Sequence, residues 1–243
     1  RSTLFPYTTL FRSILTVMFL IPSFTAGSIA GEREKQTLDI LLTTTLTPGE
    51  IIMGKLMSSI SMVFLLVVSS LPIISIVFTI GGIGMEDMIM FMLEILIISF
   101  FIGSMGMLAS TMLKKTVQAT VCSFAQIVLV CGGTVVVVIV AYIAAKLYYY
   151  NCMGAVGSMP DVSSVLFILL INPAFTIVQM TAKHCESISV ISKAAGMLNG
   201  SMPSTIVDNW FKLSMISQMI VTVILLRMSA IFLKPARKKK TVS

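Results

Sequence analysis

Polar residues along this chain come in short clusters, and between them lie apolar runs long enough to cross a bilayer. Residues 14–30, 51–80, 88–113, 117–145 and 205–233 are dominated by Ile, Val, Leu, Met and Phe. A hydrocarbon core of ~30 Å is spanned by about 20 helical residues. The pattern therefore predicts an all-α, polytopic membrane protein with five transmembrane helices, the first of them short. Pro22 predicts a kink in the first, and Pro72 sits in the outer half of the second. Gly81-Gly82-Ile83-Gly84 with Met85-Glu86-Asp87, and Lys114-Lys115, mark the turns that follow.

The one sizeable polar interruption in the first half is residues 31–50, a connector between the first two spans. It opens on four charges, Glu32, Arg33, Glu34 and Lys35. Leu38, Leu41 and Leu42 then fall at i, i+3, i+4, with Asp39 in the first turn, which predicts a short amphipathic helix. Thr47 suits an N-cap, Pro48 the first helical position and Glu50 the third, reaching back to the cap amide. The second span therefore starts there.

Composition enforces the membrane reading. With 56% hydrophobic and 11% charged residues among 243, and a mean hydropathy of +1.00, the apolar surface exceeds what a soluble core hides, so lipid must cover the rest. The net charge of +7 sits at helix ends, where it reports topology and not nucleic-acid binding. Residues 3–13, TLFPYTTLFRS, read as a translated sequencing adapter; residues 1–13 are then a fusion scar and the natural sequence starts at Ile14 without its own N-terminus.

The segment 146–204 is the hardest to place. Its apolar run 162–180 is interrupted at Asn172-Pro173. If it crossed, the last span would carry Lys234, Arg237, Lys238, Lys239 and Lys240 outward, against the positive-inside rule. The expectation is a re-entrant or interfacial outer segment, with the connector and the C-terminus cytoplasmic. The Tyr148-Tyr149-Tyr150 cluster fits an interfacial belt.

The connector resembles that of the ABC-2 type permeases, the membrane subunits of ATP-driven exporters. The residues in register are Gly31-Glu32-Arg33-Glu34, Thr37-Leu38, Leu41-Leu42, Thr44, Leu46, Glu50-Ile51 and Gly54-Lys55. Gln36 and Thr45 depart from the pattern, where Gly or Arg and Pro are frequent. The resemblance implies six spans in the intact protein and a connector acting as a coupling helix on a separate ATP-binding subunit. It further implies a second permease copy or homologue, and a location in the plasma membrane. Glu32, Arg33, Glu34, Thr37, Leu38, Leu41 and Leu42 are the candidate partner-coupling residues, the leucines as apolar anchor and the acids pairing within the connector or with the partner. A solvated loop that merely ends the first helix is the plainer alternative.

Catalytic chemistry is sparse. Gly49 to Lys55 nearly spells a phosphate-binding loop, but Leu56 follows the lysine where a hydroxyl is needed for Mg²⁺, and the capping box makes the stretch helical. ATP and Mg²⁺ are thus expected on the partner, with no cofactor on this chain. Glu94 lies within a span and is the candidate translocation-path residue; a position at headgroup level fits equally. Gln126 and Gln218 suit helix–helix ties and Arg227 a snorkelling role. His184 stands without the three or four convergent ligands that a metal needs. Cys122 and Cys131 read as small core residues, while Cys152 and Cys185 fall on the outer side, where a disulfide is feasible. The rival readings are a stand-alone secondary transporter or channel, which needs ionisable groups beyond Glu94 or an inverted repeat, and a membrane-embedded enzyme, which needs clustered catalytic groups.

Overall fold

The computed structural model describes residues 18–38, 41, 43, 45–81, 85–153, 160–186, 190–198 and 203–233. Residues 1–17, on which the adapter reading and the start of the predicted first span fall, Leu42, and the basic tail from Lys234 lie outside them, as do the side chains of Cys152, His184 and Cys185. Helix α1 covers residues 18–25, and α2 is Gly27–Glu34. The long helices are α3 (Pro48–Gly81), α4 (Met85–Met112) and α5 (Thr116–Tyr148), which ends in a π-helical turn, Tyr149–Met153. A 3₁₀ helix, Ser163–Ile171, precedes α6 (Pro173–Glu186), α7 (Val190–Met197), α8 (Ser204–Asp208) and α9 (Trp210–Leu233). Among the described residues there is no strand, and four helices, within α3, α4, α5 and α9, are long and apolar enough to cross a membrane.

Helix α4 is the centre of the bundle. It packs against α9, α5, α3 and α2, and Phe101, Ile102, Met107 and Ala109 are shut off from solvent on different sides of it. Its second half, Phe-Phe-Ile-Gly-Ser-Met-Gly-Met-Leu-Ala-Ser, puts small residues where neighbours cross. A Cβ on Gly103 would stand 2.8 Å from Leu56 Cδ1, and one on Gly106 only 2.0 Å from Thr25 Oγ1. Backbones approach this closely in a membrane because dispersion contact, not water exclusion, holds helices together there. By contrast α5 is peripheral: Val121, Val128 and Leu129 are each more than half exposed.

Two further clusters cap the ends. At the connector end, Ile29, Leu38, Ile51, Ile52, Leu56 and Leu233 are packed together. At the other end, Leu166, Leu169, Leu170, Ile191, Leu198 and Trp210 form a roof. The apolar run 162–180 is thus no single helix. It breaks at Asn172, whose side chain accepts from Phe175 N (3.1 Å) and so caps α6. The same side chain donates to the Cys131 carbonyl (2.9 Å) and to Thr134 Oγ1 (2.7 Å) of α5. Irregular backbone at membrane depth is tolerated only where protein satisfies it. The last span of the sequence reading, 205–233, divides at Asn209 into α8 and α9.

Gly106→Ala is expected to lower stability by about 1–3 kcal/mol through overpacking, read as a loss of thermal midpoint in detergent. Thr25→Ala in the same chain should restore most of it. A Gly106→Ala protein with an unchanged midpoint contradicts the close crossing.

Candidate functional site

The first three of the four charges that open the connector are helical: α2 runs on through Gly31, Glu32, Arg33 and Glu34, and Lys35 is its C-cap. The two helices join at Ala26, which has helical angles (φ −65°, ψ −30°) but no side-chain cap. The missing cap comes from another helix. Ser110 Oγ of α4 accepts from Ile29 N (2.9 Å) and Ala30 N (2.8 Å), a side chain inserted into the ladder in place of the i−4 carbonyls. Gly27 lies close to Thr116, a Cβ there coming to 3.1 Å of Thr116 Cγ2, so α2 is wedged between the end of α4 and the start of α5.

Three of the four charges then reach three different helices. Glu32 pairs with Lys55 of α3, both half-buried. The Arg33 guanidinium donates to the carbonyls of Leu113 (3.0 Å) and Thr111 (3.1 Å), two of the acceptors left open at the C-terminus of α4, where a cation also suits the helix dipole. Glu34 Oε2 accepts from Thr116 N (3.1 Å) and Thr116 Oγ1 (2.5 Å), capping the N-terminus of α5. Those bonds, the hydroxyl first, hold the exposed Glu34 carboxyl below the usual carboxylate range. The three charges form a bracket across the second turn of α3, the C-terminal end of α4 and the start of α5.

The chain leaves α2 through a Schellman turn. Gln36 N donates to the Arg33 carbonyl (3.1 Å) and Thr37 N to that of Glu32 (2.9 Å), with Gln36 at φ +58°. That position favours Gly, so Gln36 occupies it at a cost in backbone strain. Thr37 also donates from Oγ1 to the Glu32 carbonyl (3.2 Å). Beyond it Leu38 is 6% exposed and Leu41 packs beside it on the connector-end cluster. Both side chains pack within the chain, on the cluster of Ile29, Ile51 and Leu56, which would otherwise be open to water. The capping box closes as the sequence predicts, Thr47 N donating to Glu50 Oε2 (2.7 Å) and Glu50 N to Thr47 Oγ1 (3.4 Å). Gly49 to Lys55 is helix, and its lysine is held by Glu32.

What the connector shows to solvent differs from what it uses internally. Lys35, Gln36, Thr37, Thr43, Thr45, Leu46 and Thr47 are exposed, as are Lys114 and Lys115 on the neighbouring turn. Glu34 is exposed too, with one oxygen engaged. Sequence reading did not single out Ser110 or Thr116; their pairing with α2 spans about eighty residues and carries no local signal. Glu94 stands apart from the bracket, 1% exposed in α4 with neither oxygen bonded. Cys122 and Cys131 are free thiols, half-buried in α5.

Compared with known families, residues 8–235 match the model of a family described as ABC-2 family transporter protein. No curated protein matches the chain.

Gln36→Gly should raise stability by about 1 kcal/mol by removing the left-handed strain; a lower thermal midpoint refutes the turn. Since the Glu34 carboxyl is depressed, its cap contributes fully above the ordinary carboxylate value of ~4.3 and is lost as pH falls through its own lower value. The midpoint gap between wild type and Glu34→Gln should be constant near neutrality and close only in acid. A gap that does not change with pH counts against the cap.

Proposed function

The chain belongs to the ABC-2 family of transporter proteins, and from that membership we propose that it is the permease subunit of an ATP-driven exporter. It forms the translocation path with a second permease copy or homologue, in the plasma membrane and with its connector and C-terminus cytoplasmic. ATP and Mg²⁺ are held by a separate ATP-binding subunit that seats on the connector. This chain is a transport component and supplies no hydrolytic site.

The observation that carries the reading is the bracket of Glu32, Arg33 and Glu34 onto three helices. A push on a free loop would be absorbed by the loop. A push on α2 reaches the Ser110 hydroxyl, the end of α4 and the start of α5 together, so these helices tilt as one body. Thr37, Leu38 and Leu41 serve the same end by fixing the turn out of α2 to the connector-end cluster; Leu42 is assigned with them by its place in the motif. In this reading the quartet acts as a positioning element, and contact with the partner falls to the exposed face.

That face carries Lys35, Lys114 and Lys115, while its exposed acids Glu34 and Glu50 are engaged as helix caps, and we assign the lysines an acidic counterpart on the ATP-binding subunit. Complementary charge of this kind steers association and fixes register. A stand-alone secondary transporter or channel is the second reading, favoured by one observation, the buried and unpaired Glu94, which would then line the path. A single ionisable group is thin for that class.

Co-purification separates the two readings: the permease should bring down a Walker-motif ATPase, and transport by the chain alone in liposomes contradicts the exporter. Reversing Lys35, Lys114 and Lys115 to Glu should weaken ATPase binding by at least about tenfold, whereas Arg33→Ala should leave binding within about threefold and uncouple hydrolysis from export. Arg33→Ala that retains full coupling removes the bracket from the mechanism.

A further inference from the structure

Helices α4 and α9 pack side by side, and an open groove follows their seam. Leu93 and Ile97 of α4 form one wall and Met215 and Met219 of α9 the other, with Lys212 at one end and Ile224 at the opposite end. The groove holds ≈ 600 Å³, within the ~300–1,000 Å³ of ordinary ligand sites. Apart from Lys212 its lining is apolar. Ile216, Ile220 and Ile224, along its α9 side, are each more than half exposed.

The position of the groove in the bilayer follows from the ends of α9. That helix starts in the roof cluster at Trp210 and finishes in the connector-end cluster at Leu233. Lys212, in its first turn, therefore stands at the interface opposite the connector, and Ile224 lies past mid-helix. The rise from one to the other is about 18 Å, close to the ~15 Å of one hydrocarbon leaflet. The groove begins where headgroups lie and stops where the acyl chains of that leaflet stop.

Lys212 is exposed and has no ion-pair partner among the described residues; Glu86 and Asp208, acids of the same end, are exposed as well and do not pair with it. Its place at the start of α9 is the positive end of the helix dipole, where a cation is disfavoured. An anionic group there is attracted by the ammonium and the dipole together, and the lysine stem is long enough to carry its charge to headgroup level. A second copy joined by a two-fold axis through this face would bring its own Lys212 to the same place, like charge against like. A lipid brings no such conflict. Its chain is matched by methionine walls that adapt their shape, and its headgroup charge supplies the preference that apolar contact in a bilayer does not. We propose that the α4–α9 groove binds an anionic glycerophospholipid, with one acyl chain lying from Lys212 towards Ile224 and the phosphate on Lys212. This goes beyond the exporter reading and does not depend on it, because the groove belongs to the permease alone.

The test is made on purified permease in detergent, without any ATPase. Its thermal midpoint is followed as dioleoyl phosphatidylglycerol or dioleoyl phosphatidylcholine is added in mixed micelles. Phosphatidylglycerol should raise the midpoint saturably, as a ligand of the native state does. Half-saturation should come at about fivefold lower concentration than with phosphatidylcholine, equivalent to ~1 kcal/mol for one basic residue at an anionic surface. Lys212→Gln should erase that difference. Lys146→Gln, which removes an exposed lysine at the same end of the bundle but outside the groove, should leave it intact. Met219→Trp, which narrows the groove, should weaken both lipids. Equal responses to the two lipids overturn the site, and so does a preference for phosphatidylglycerol that survives Lys212→Gln. A rise of the same size from inorganic phosphate or dihexanoyl phosphatidylglycerol also overturns it, since neither needs the groove. Efficient disulfide cross-linking of Ile220→Cys between copies would give the groove to a second permease and overturn the lipid. Loss of ATPase co-purification with the lipid preference intact would sink the exporter reading and leave this site standing.

Discussion

Helix ends set the terms of this structure. Every α-helix leaves carbonyls open at one end and amides at the other, and a bundle whose sides are coated with Val, Leu and Ile has few side chains to spare for them. The chain meets the demand by importing caps from other helices. Ser110 of α4 takes the amides of Ile29 and Ala30, Arg33 of α2 takes the carbonyls of Thr111 and Leu113, and Glu34 takes the amide of Thr116. Because the caps are exchanged between helices, satisfying the backbone and fixing the helices to one another become the same event.

The far end of the bundle solves the same problem differently. There the 3₁₀ helix and α6 meet inside the protein, and the acceptors freed at Leu170 and Asn172 are taken by hydroxyls of Ser214, Ser217 and Thr176. The two ends differ in chemistry for a physical reason. Charged caps work at the connector, where water screens them and their cost is low. Neutral hydroxyl and amide caps are used in the interior, where an unmatched charge is expensive. Glu94 is the exception within that interior, which is why its surroundings carry functional interest.

A transport component must move without coming apart. The close crossings of α4 at Gly103 and Gly106 fix α1 and α3 to it at short distance, while the exposed flank of α5 leaves one side without internal partners. Force delivered at α2 therefore reaches a stiff centre first. The bracket gives the connector a defined mechanical path into the bundle, and the exposed lysines beside it give a second protein somewhere to hold.

Much of this was legible in residue order, because hydropathy and caps are local. Apolar runs located the four long helices, Thr47-Pro48-Gly49-Glu50 located the start of α3, and Asn172-Pro173 located the break. The Gly-Glu-Arg-Glu run marked the connector, but residue order left open whether its acids pair within the connector or with a partner, and named the leucines at i, i+3, i+4 only as an apolar anchor. Only packing showed that Glu32, Arg33 and Glu34 close on Lys55, the end of α4 and Thr116, and that Leu38 is buried. Those partners lie some twenty to eighty residues away, and charge, unlike helical periodicity, names no partner in the order of the chain. The sequence by itself determined where helices begin, end and meet lipid, since each depends on neighbours within a turn; which end caps which, and which oxygens stay unmatched, was decided by tertiary structure alone, since those contacts exist only once distant helices are brought side by side.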